Sequence, residues 1–576
     1  MYSLTKIKFT KQLAICLIGI FFIFPINILS APPHPDLLRK AAKNSTLPLI
    51  TSKIKSMREK GINSPNKYPE GYKPKVMSSQ KTTATGNFRA LALMVEFSDK
   101  PSSVPTLFFD SLIFDTLGST IRSYYKEVSY NQLDIITLNL PSDIGWTTAP
   151  QTLAYYVNGS NATGSYPQNS QRLVEDLVNQ IDSLVDFSNY DNDDDGFVDV
   201  VMVIHSGSGA EFSGSNDDIW SHKWSTITPI QKDGVYVFNY TIQPEYWNTS
   251  GDMTIGVYAH ELGHVFGLPD LYDTDYNSNG IGRWGIMSFG SWGGPGNDGS
   301  SPAHPCAWSK IQMGFVTPTN VLSNTPSVSI SNVEQNPTIY RLWNSGASST
   351  EYFLVENRQK LGYDSYIPGD GLLIWHIDES QSSNDNQWFP GEDSTSHFMV
   401  ALEQADGLFE IEQMNDYGDA GDPFPGTANN TSFDGLSSPN SDTYVDGGTF
   451  VKVDNIHTVG YLLVADFTVG ISANIGDEIN PSLPSEFVLE QNYPNPFNPK
   501  TSINFTLNRN AHTTLNVYNI LGEKVKTIID ENLIAGEFNI EWDAIDDNGS
   551  KLSSGIYLYR LKVGEQIESK KMVLLK

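Results

Sequence analysis

Residues 260–270 read His260-Glu261-Leu262-Gly263-His264-Val265-Phe266-Gly267-Leu268-Pro269-Asp270, and the spacing inside this stretch decides what must surround it. On a helix, positions i and i+4 share a face, so His260 and His264 can reach one metal ion. Glu261 approaches the same ion from the side. Two histidine ligands with a glutamate as general base form a zinc-hydrolase arrangement. The helix reads back to about Thr254, with Val257, Tyr258 and Leu262 as apolar support. Gly267 ends it, because glycine accepts the left-handed backbone of a helix C-terminus. The chain then turns and presents Asp270 as the third ligand.

Downstream, after a loop rich in Gly and Asn, comes Trp284-Gly285-Ile286-Met287-Ser288. A methionine at this distance after the histidine pair reads as the methionine turn that underlies the metal in metzincin-type zinc proteases. The zinc helix, Leu271-Tyr272-Asp273, this turn and the upstream Ile219-Trp220-Ser221-His222-Lys223-Trp224 together resemble the immune inhibitor A family of secreted bacterial metalloproteases. The similarity continues through Tyr352-Phe353-Leu354-Val355-Glu356-Asn357-Arg358-Gln359 and Gly371-Leu372-Leu373-Ile374-Trp375-His376-Ile377-Asp378, and covers roughly residues 87–470. Most metzincins carry a third histidine where this chain has Asp270, and an aspartate there looks like the immune inhibitor A pattern. Some place a tyrosine two residues after the turn methionine to stabilise the oxyanion. Here that residue is Phe289, which leaves Tyr272, Tyr276 and His304 as substitutes. His205, His222 and His376 lack ligand spacing and read as structural.

The chain has 576 residues, with 37 Lys+Arg against 66 Asp+Glu and a net charge of −29. That length calls for several cores. That acidity argues against nucleic-acid binding, which needs a basic surface. Lys6, Lys8 and Lys11 precede an apolar run from Leu13 to Phe24 and small residues near Ser30 and Ala31. This is the pattern of a signal peptide over residues 1–30. The run is shorter than the ~20 residues of a spanning helix, and no later run could span, so the mature chain is expected to be secreted or displayed at the cell surface. Cys16 leaves with the signal, so Cys306 has no partner for an intrachain disulfide and reads as a small buried hydrophobe.

Residues 31–86 hold eleven Lys/Arg against three Asp/Glu. A basic leader before an acidic body is either a propeptide held partly by charge, making the protein a zymogen, or a flexible linker. The leader has no cysteine and cannot latch a metal through a thiol. Residues 87–319 are expected to form an α+β peptidase domain, with strands at Phe88–Phe97 and Val198–His205 and helices at 121–129 and 171–184. From 320 to 470, short alternating strands between Gly, Asn and Asp turns suggest a β-sandwich. Gly418 to Gly426 reads as a loop, either a rigid turn or an ion site. A linker spans 471–483. Residues 484–576 open with Phe487-Val488-Leu489-Glu490-Gln491-Asn492-Tyr493-Pro494-Asn495-Pro496 and close on Lys570-Lys571-Met572-Val573-Leu574-Leu575-Lys576. They resemble the C-terminal sorting domain of the type IX secretion system, which implies an immunoglobulin-like β-sandwich and the secretion machinery as a partner.

A second ion site is expected at Asp191-Asn192-Asp193-Asp194-Asp195-Gly196-Phe197-Val198-Asp199. Carboxylates at positions 1, 3, 5 and 9, with glycine at 6, suit calcium. Position 12 is Met202, so the loop is not a complete EF-hand and needs other oxygens. The architecture expected is therefore multidomain: a metzincin-like α+β zinc peptidase, a β-sandwich and a sorting sandwich. The function expected is a zinc endopeptidase acting on protein and peptide substrates, with Zn²⁺ catalytic and Ca²⁺ structural. The competing readings are a surface-displayed binding or adhesion protein with an inactive protease fold, and zinc-dependent hydrolysis of something other than peptides.

Overall fold

The computed structural model describes residues 31–63, 85–470 and 487–575, less a few short internal stretches. The expected signal peptide, the end of the leader and the 471–483 linker lie outside the described residues. Two compact units emerge, the first running to Ser472 and the second from Ala473 to Lys576. No helix among the described residues is long and apolar enough to cross a membrane.

The central sheet of the first unit has five strands in the order Trp146–Thr148, Leu91–Glu96, Val201–Ser208, Val235–Tyr246, His222–Lys232. The first four run parallel to their neighbours and the last pairs antiparallel, leaving His222–Lys232 as an edge. Leu91–Glu96 and Val201–Ser208 are apolar on both sides because both faces are covered. Met94, Met202 and Ile204 face the core that holds the helix Gly256–Val265. Leu93, Val201 and Val203 face the helix Ser170–Ile181.

The strand expected over Phe88–Phe97 is two strands. Gly86–Arg89 pairs with Leu133–Ile136 in a separate ribbon, and the chain changes partner at Ala90. An apolar run carries no mark of such a change. The leader also departs from expectation. It showed little periodicity, yet it forms helices at Pro35–Lys43 and Leu47–Glu59. Their Leu38, Ala41, Ile54 and Met57 are buried, with Ile62 just beyond.

Residues 320–470 form two sheets. One orders Val400–Leu402, Gly371–Asp378, Glu351–Arg358, Tyr340–Leu342 and Thr319–Val321; the other orders Lys452–Val459, Leu462–Thr468 and Thr325–Ile330. The larger sheet is buried on both faces. Phe353, Val355, Leu372 and Ile374 meet the smaller sheet, while Leu354, Leu373, Trp375 and Ile377 join the core beneath the Gly256–Val265 helix. The change of architecture near 320 therefore falls inside one continuous body.

A buried ion cluster ties the two halves. Arg358 grips Asp364 with Nε at 2.8 Å and Nη2 at 2.7 Å, and its Nη1 donates to the Trp284 carbonyl at 3.2 Å. Glu356 accepts from Arg358 at 3.3 Å and from Trp375 Nε1 at 2.9 Å. The guanidinium holds the Asp364 carboxyl below the usual carboxylate range although burial opposes it.

In the second unit, Thr501–Leu507 alternates buried and half-buried residues. Antiparallel sheets of three and four strands place Ile503, Phe505, Val517, Tyr559 and Leu561 in one core.

Removing one partner of a buried ion pair leaves the others uncompensated. Arg358→Ala should cost about 3–5 kcal/mol. In thermal unfolding of the full chain, the transition of the first unit should shift down while that of the second stays in place.

Candidate metal centre

The helix Gly256–Val265 is buried along its whole length. Its sequence is shaped by close approaches. A Cβ at Gly263 would lie 2.6 Å from Met287 Sδ, so only glycine lets the methionine pack against the turn between the two histidines. Gly267 has φ +88°, and its N–H donates to the His264 carbonyl at 3.1 Å. The left-handed residue reverses the chain, as glycine at this position predicts.

The two imidazoles are oriented by their far nitrogens. His260 Nδ1 lies 2.9 Å from the Ile286 carbonyl, and His264 Nδ1 lies 2.9 Å from the Leu268 carbonyl. A carbonyl only accepts, so each Nδ1 carries the proton and each Nε2 keeps its lone pair. Burial lowers the His264 pKa, so its ring favours the neutral form. The two Nε2 atoms stand 3.2 Å apart, and Asp270 Oδ1 lies 3.0 Å from one and 3.3 Å from the other. Three lone-pair atoms converge in a region closed to solvent. Neutral histidines with their single protons spent elsewhere repel in this arrangement, and a cation among them removes the repulsion. The donor set fits a metal ion.

Glu261 is buried beside them. Its Oε1 accepts from Ala31 N at 2.9 Å, and its Oε2 has no hydrogen-bond partner. Burial, then the Asp270 charge, pushes its carboxyl well above the ordinary range. Met287 is buried, and its carbonyl accepts from Leu271 N at 2.8 Å, linking the methionine turn to the segment after Asp270.

The leader lies across this site, which spacing did not reveal. Ala31 O accepts from Trp220 Nε1 at 3.1 Å, and Pro32 O accepts from Trp292 Nε1 at 3.0 Å. Asn63 exchanges hydrogen bonds with Lys223 on the edge strand: its N–H reaches the Lys223 carbonyl at 2.6 Å, and its Oδ1 accepts from Lys223 N at 2.5 Å. Its Nδ2 stands 3.0 Å from His264 Nε2. Lys53 and Lys60 reach the neutral oxygens of Asn216 and Thr163.

Asp191, Asp193 and Asp195 bring ligand oxygens within 4.8 Å of one another. Asp199 does not join them. Its carboxylate accepts from Asn192 N at 2.7 Å and Asn192 Nδ2 at 3.0 Å, and burial pushes its pKa up to about 7. A loop template counts oxygens and does not register that Asn192 can claim one. Carboxylates also gather at Asp406, Asp419 and Asp422, within and beside the 418–426 loop.

The other histidines are engaged in packing and hydrogen bonds. His222 lies between the Trp220 carbonyl and Ser170 Oγ, and His205 Nδ1 meets the Ser206 carbonyl. His304 sits between Glu127 and Lys310. Cys306 is buried, and burial pushes its thiol up to about 11.

Two imidazoles and a glutamate from one buried helix, with the Asp270 carboxylate from the turn beyond it, form a candidate metal centre of the metallohydrolase type. The comparisons name it. Residues 107–316 match the catalytic domain of the immune inhibitor A peptidases, family M6, and residues 491–575 match the secretion system C-terminal sorting domain. The chain thus carries an immune inhibitor A-type peptidase domain followed by a type IX sorting domain, and is an extracellular or cell-surface protein. It is 26% identical over 390 residues to the pre-pro-metalloprotease PrtV of Vibrio cholerae, covering 57% of this chain and 40% of that protein. It is 34% identical over 213 residues to immune inhibitor A of Bacillus thuringiensis subsp. alesti, covering 30% of this chain and 29% of that protein. The chain therefore spans less than half of each of these relatives.

His376 gives a pH test of the first unit. Burial works against its charge, but Glu351 at 2.9 Å and Glu403 at 3.1 Å outweigh it and raise the pKa from 6.5 to about 9. The folded state binds this proton more tightly than the unfolded chain does. The resulting stabilisation is full below about pH 6.5 and is lost as pH rises through about 9. Urea unfolding between pH 6 and 10 should show this decline, and His376→Leu should flatten it.

Proposed function

We propose that the protein is a secreted zinc endopeptidase acting on protein and peptide substrates. The observation that carries the reading is the convergence of His260 Nε2, His264 Nε2 and Asp270 Oδ1 beside a glutamate oxygen with no partner. Nitrogen and carboxylate donors in a three-residue set suit Zn²⁺ with one position left open. When bound, zinc supplies Lewis acidity that acidifies water and polarises a carbonyl.

The remaining work falls to the chain. Glu261 Oε2 takes the proton of the attacking water and then delivers it to the leaving amine. Met287 fixes the helix turn from below.

The leader acts in this reading as an inhibitory propeptide. It occupies the Glu261 carboxylate with Ala31 N and sets Asn63 against His264 and the edge strand. The fold reading is a metzincin-like peptidase domain over 87–319, a β-sandwich over 320–470 and an immunoglobulin-like sorting sandwich over 484–576. The sorting tail makes the type IX machinery its export partner. The loop of Asp191, Asp193 and Asp195 is a candidate structural Ca²⁺ site, its shell completed by groups other than Asp199.

The test is casein cleavage with zinc content measured on the same samples. After removal of the leader the parent should cleave casein and hold one zinc per chain. Glu261→Gln should keep the zinc and lose about 10²–10⁴-fold in kcat. His264→Ala should lose the zinc. Protein retaining residues 31–63 should be inactive. A leader-free parent that holds zinc and cleaves nothing favours the binding-protein reading.

A further inference from the structure

Peptide hydrolysis places negative charge on the scissile carbonyl oxygen, and an enzyme needs a donor aimed at that charge. The sequence left three candidates once Phe289 occupied the position after the methionine turn. His304 is committed to Glu127 at 2.9 Å and Lys310 at 3.0 Å. Two tyrosines remain. The Tyr272 ring lies 6.4 Å from that of His260, and the Tyr276 ring lies 6.0 Å beyond Tyr272.

Tyr276 carries two marks of a functional group. Its hydroxyl is buried with no hydrogen-bond partner. A buried hydroxyl without a partner costs free energy, and folded proteins rarely keep one without use. Its backbone has φ +57°, a left-handed conformation that a bulky side chain rarely adopts. Strain of this kind concentrates at working sites. The Asp270 charge is the largest electrostatic influence on its hydroxyl after burial, and both keep it protonated far above neutral pH. Tyr276 also lines the hollow beneath the leader helix, with Leu38, Ala42 and Tyr417. Removal of the leader uncovers it.

We propose that the Tyr276 hydroxyl is a catalytic donor that hydrogen-bonds the scissile carbonyl oxygen as that oxygen gains negative charge. This rests on the peptidase reading. Water's oxygen bonds to the carbonyl carbon, the π pair moves onto the carbonyl oxygen, and water's proton goes to Glu261. Tyr276 donates a hydrogen bond throughout and keeps its proton. When the C–N bond breaks, the pair returns to the carbonyl and the Glu261 proton goes to the amine.

The test compares Tyr276→Phe, Tyr272→Phe and Glu261→Gln with the parent, all as secreted, processed protein. Tyr276→Phe should lower kcat about 100-fold, the size of losing one oxyanion donor, and leave KM within about threefold. It should weaken binding of a phosphonamidate peptide, tetrahedral at phosphorus, by a similar factor while changing product-peptide affinity by less than about threefold. It should melt at or above the parent temperature, because the lost hydroxyl has no partner to strand. A Tyr276→Phe variant that keeps more than about a third of kcat, or loses only KM, overturns the donor role. So does a 100-fold loss confined to Tyr272→Phe. Failure of the peptidase reading looks different: a zinc-loaded, processed parent would itself be inactive, and the donor role would fall with it.

Discussion

Two imidazole nitrogens and a carboxylate oxygen, each with its lone pair turned inward, are packed within 3.3 Å of one another where water does not reach. Left to themselves they would separate. They are held by groups that do other work. The Ile286 and Leu268 carbonyls take the Nδ1 protons, Met287 presses on Gly263, and Gly267 turns the chain so that Asp270 comes back to the histidines. The carbonyl that orients His260 belongs to a loop whose Trp284 carbonyl is held by Arg358. The charge cluster under the larger 320–470 sheet thus supports the site through backbone, which explains why the two regions share one core.

The leader uses the same atoms. The Glu261 carboxylate is capped by a backbone N–H, and the edge strand is paired by Asn63 through one backbone and one side-chain hydrogen bond. Apolar burial of Leu38, Ile54, Met57 and Ile62 holds it in place, and its lysines meet neutral oxygens. The basic charge of the leader is therefore not what positions the two lysines whose contacts are seen.

What was legible in the sequence was local. The histidine pair, Glu261, the Gly267 turn and Asp270 follow from helical spacing and glycine chemistry, Met287 follows from its likeness to the metzincin methionine turn, and they meet in space. The sorting tail was legible through its resemblance to the type IX sorting domain, and strands such as Thr501–Leu507 alternate because one face looks outward. Where both faces are buried, as in Glu351–Arg358 and Gly371–Asp378, alternation vanishes, and the sharing of a core across residue 320 could not be read. The change of partner at Ala90 is invisible for the same reason. Asp199 lies outside the cluster of Asp191, Asp193 and Asp195, with one of its carboxylate oxygens accepting from Asn192, and a loop template does not register that competition. Contacts such as Ala31 with Glu261 and Asn63 with His264 join residues more than 200 positions apart, and no periodicity encodes them.

The central claim is that His260, His264 and Asp270 hold a catalytic zinc. X-ray absorption at the zinc edge of the purified full chain tests it most directly. The account expects one zinc per chain with two imidazole nitrogens at about 2.0–2.1 Å and oxygen donors at about 2.0–2.2 Å, and no bound zinc in His264→Ala. A chain that binds no zinc, or a zinc whose shell is unchanged by His264→Ala, would contradict it.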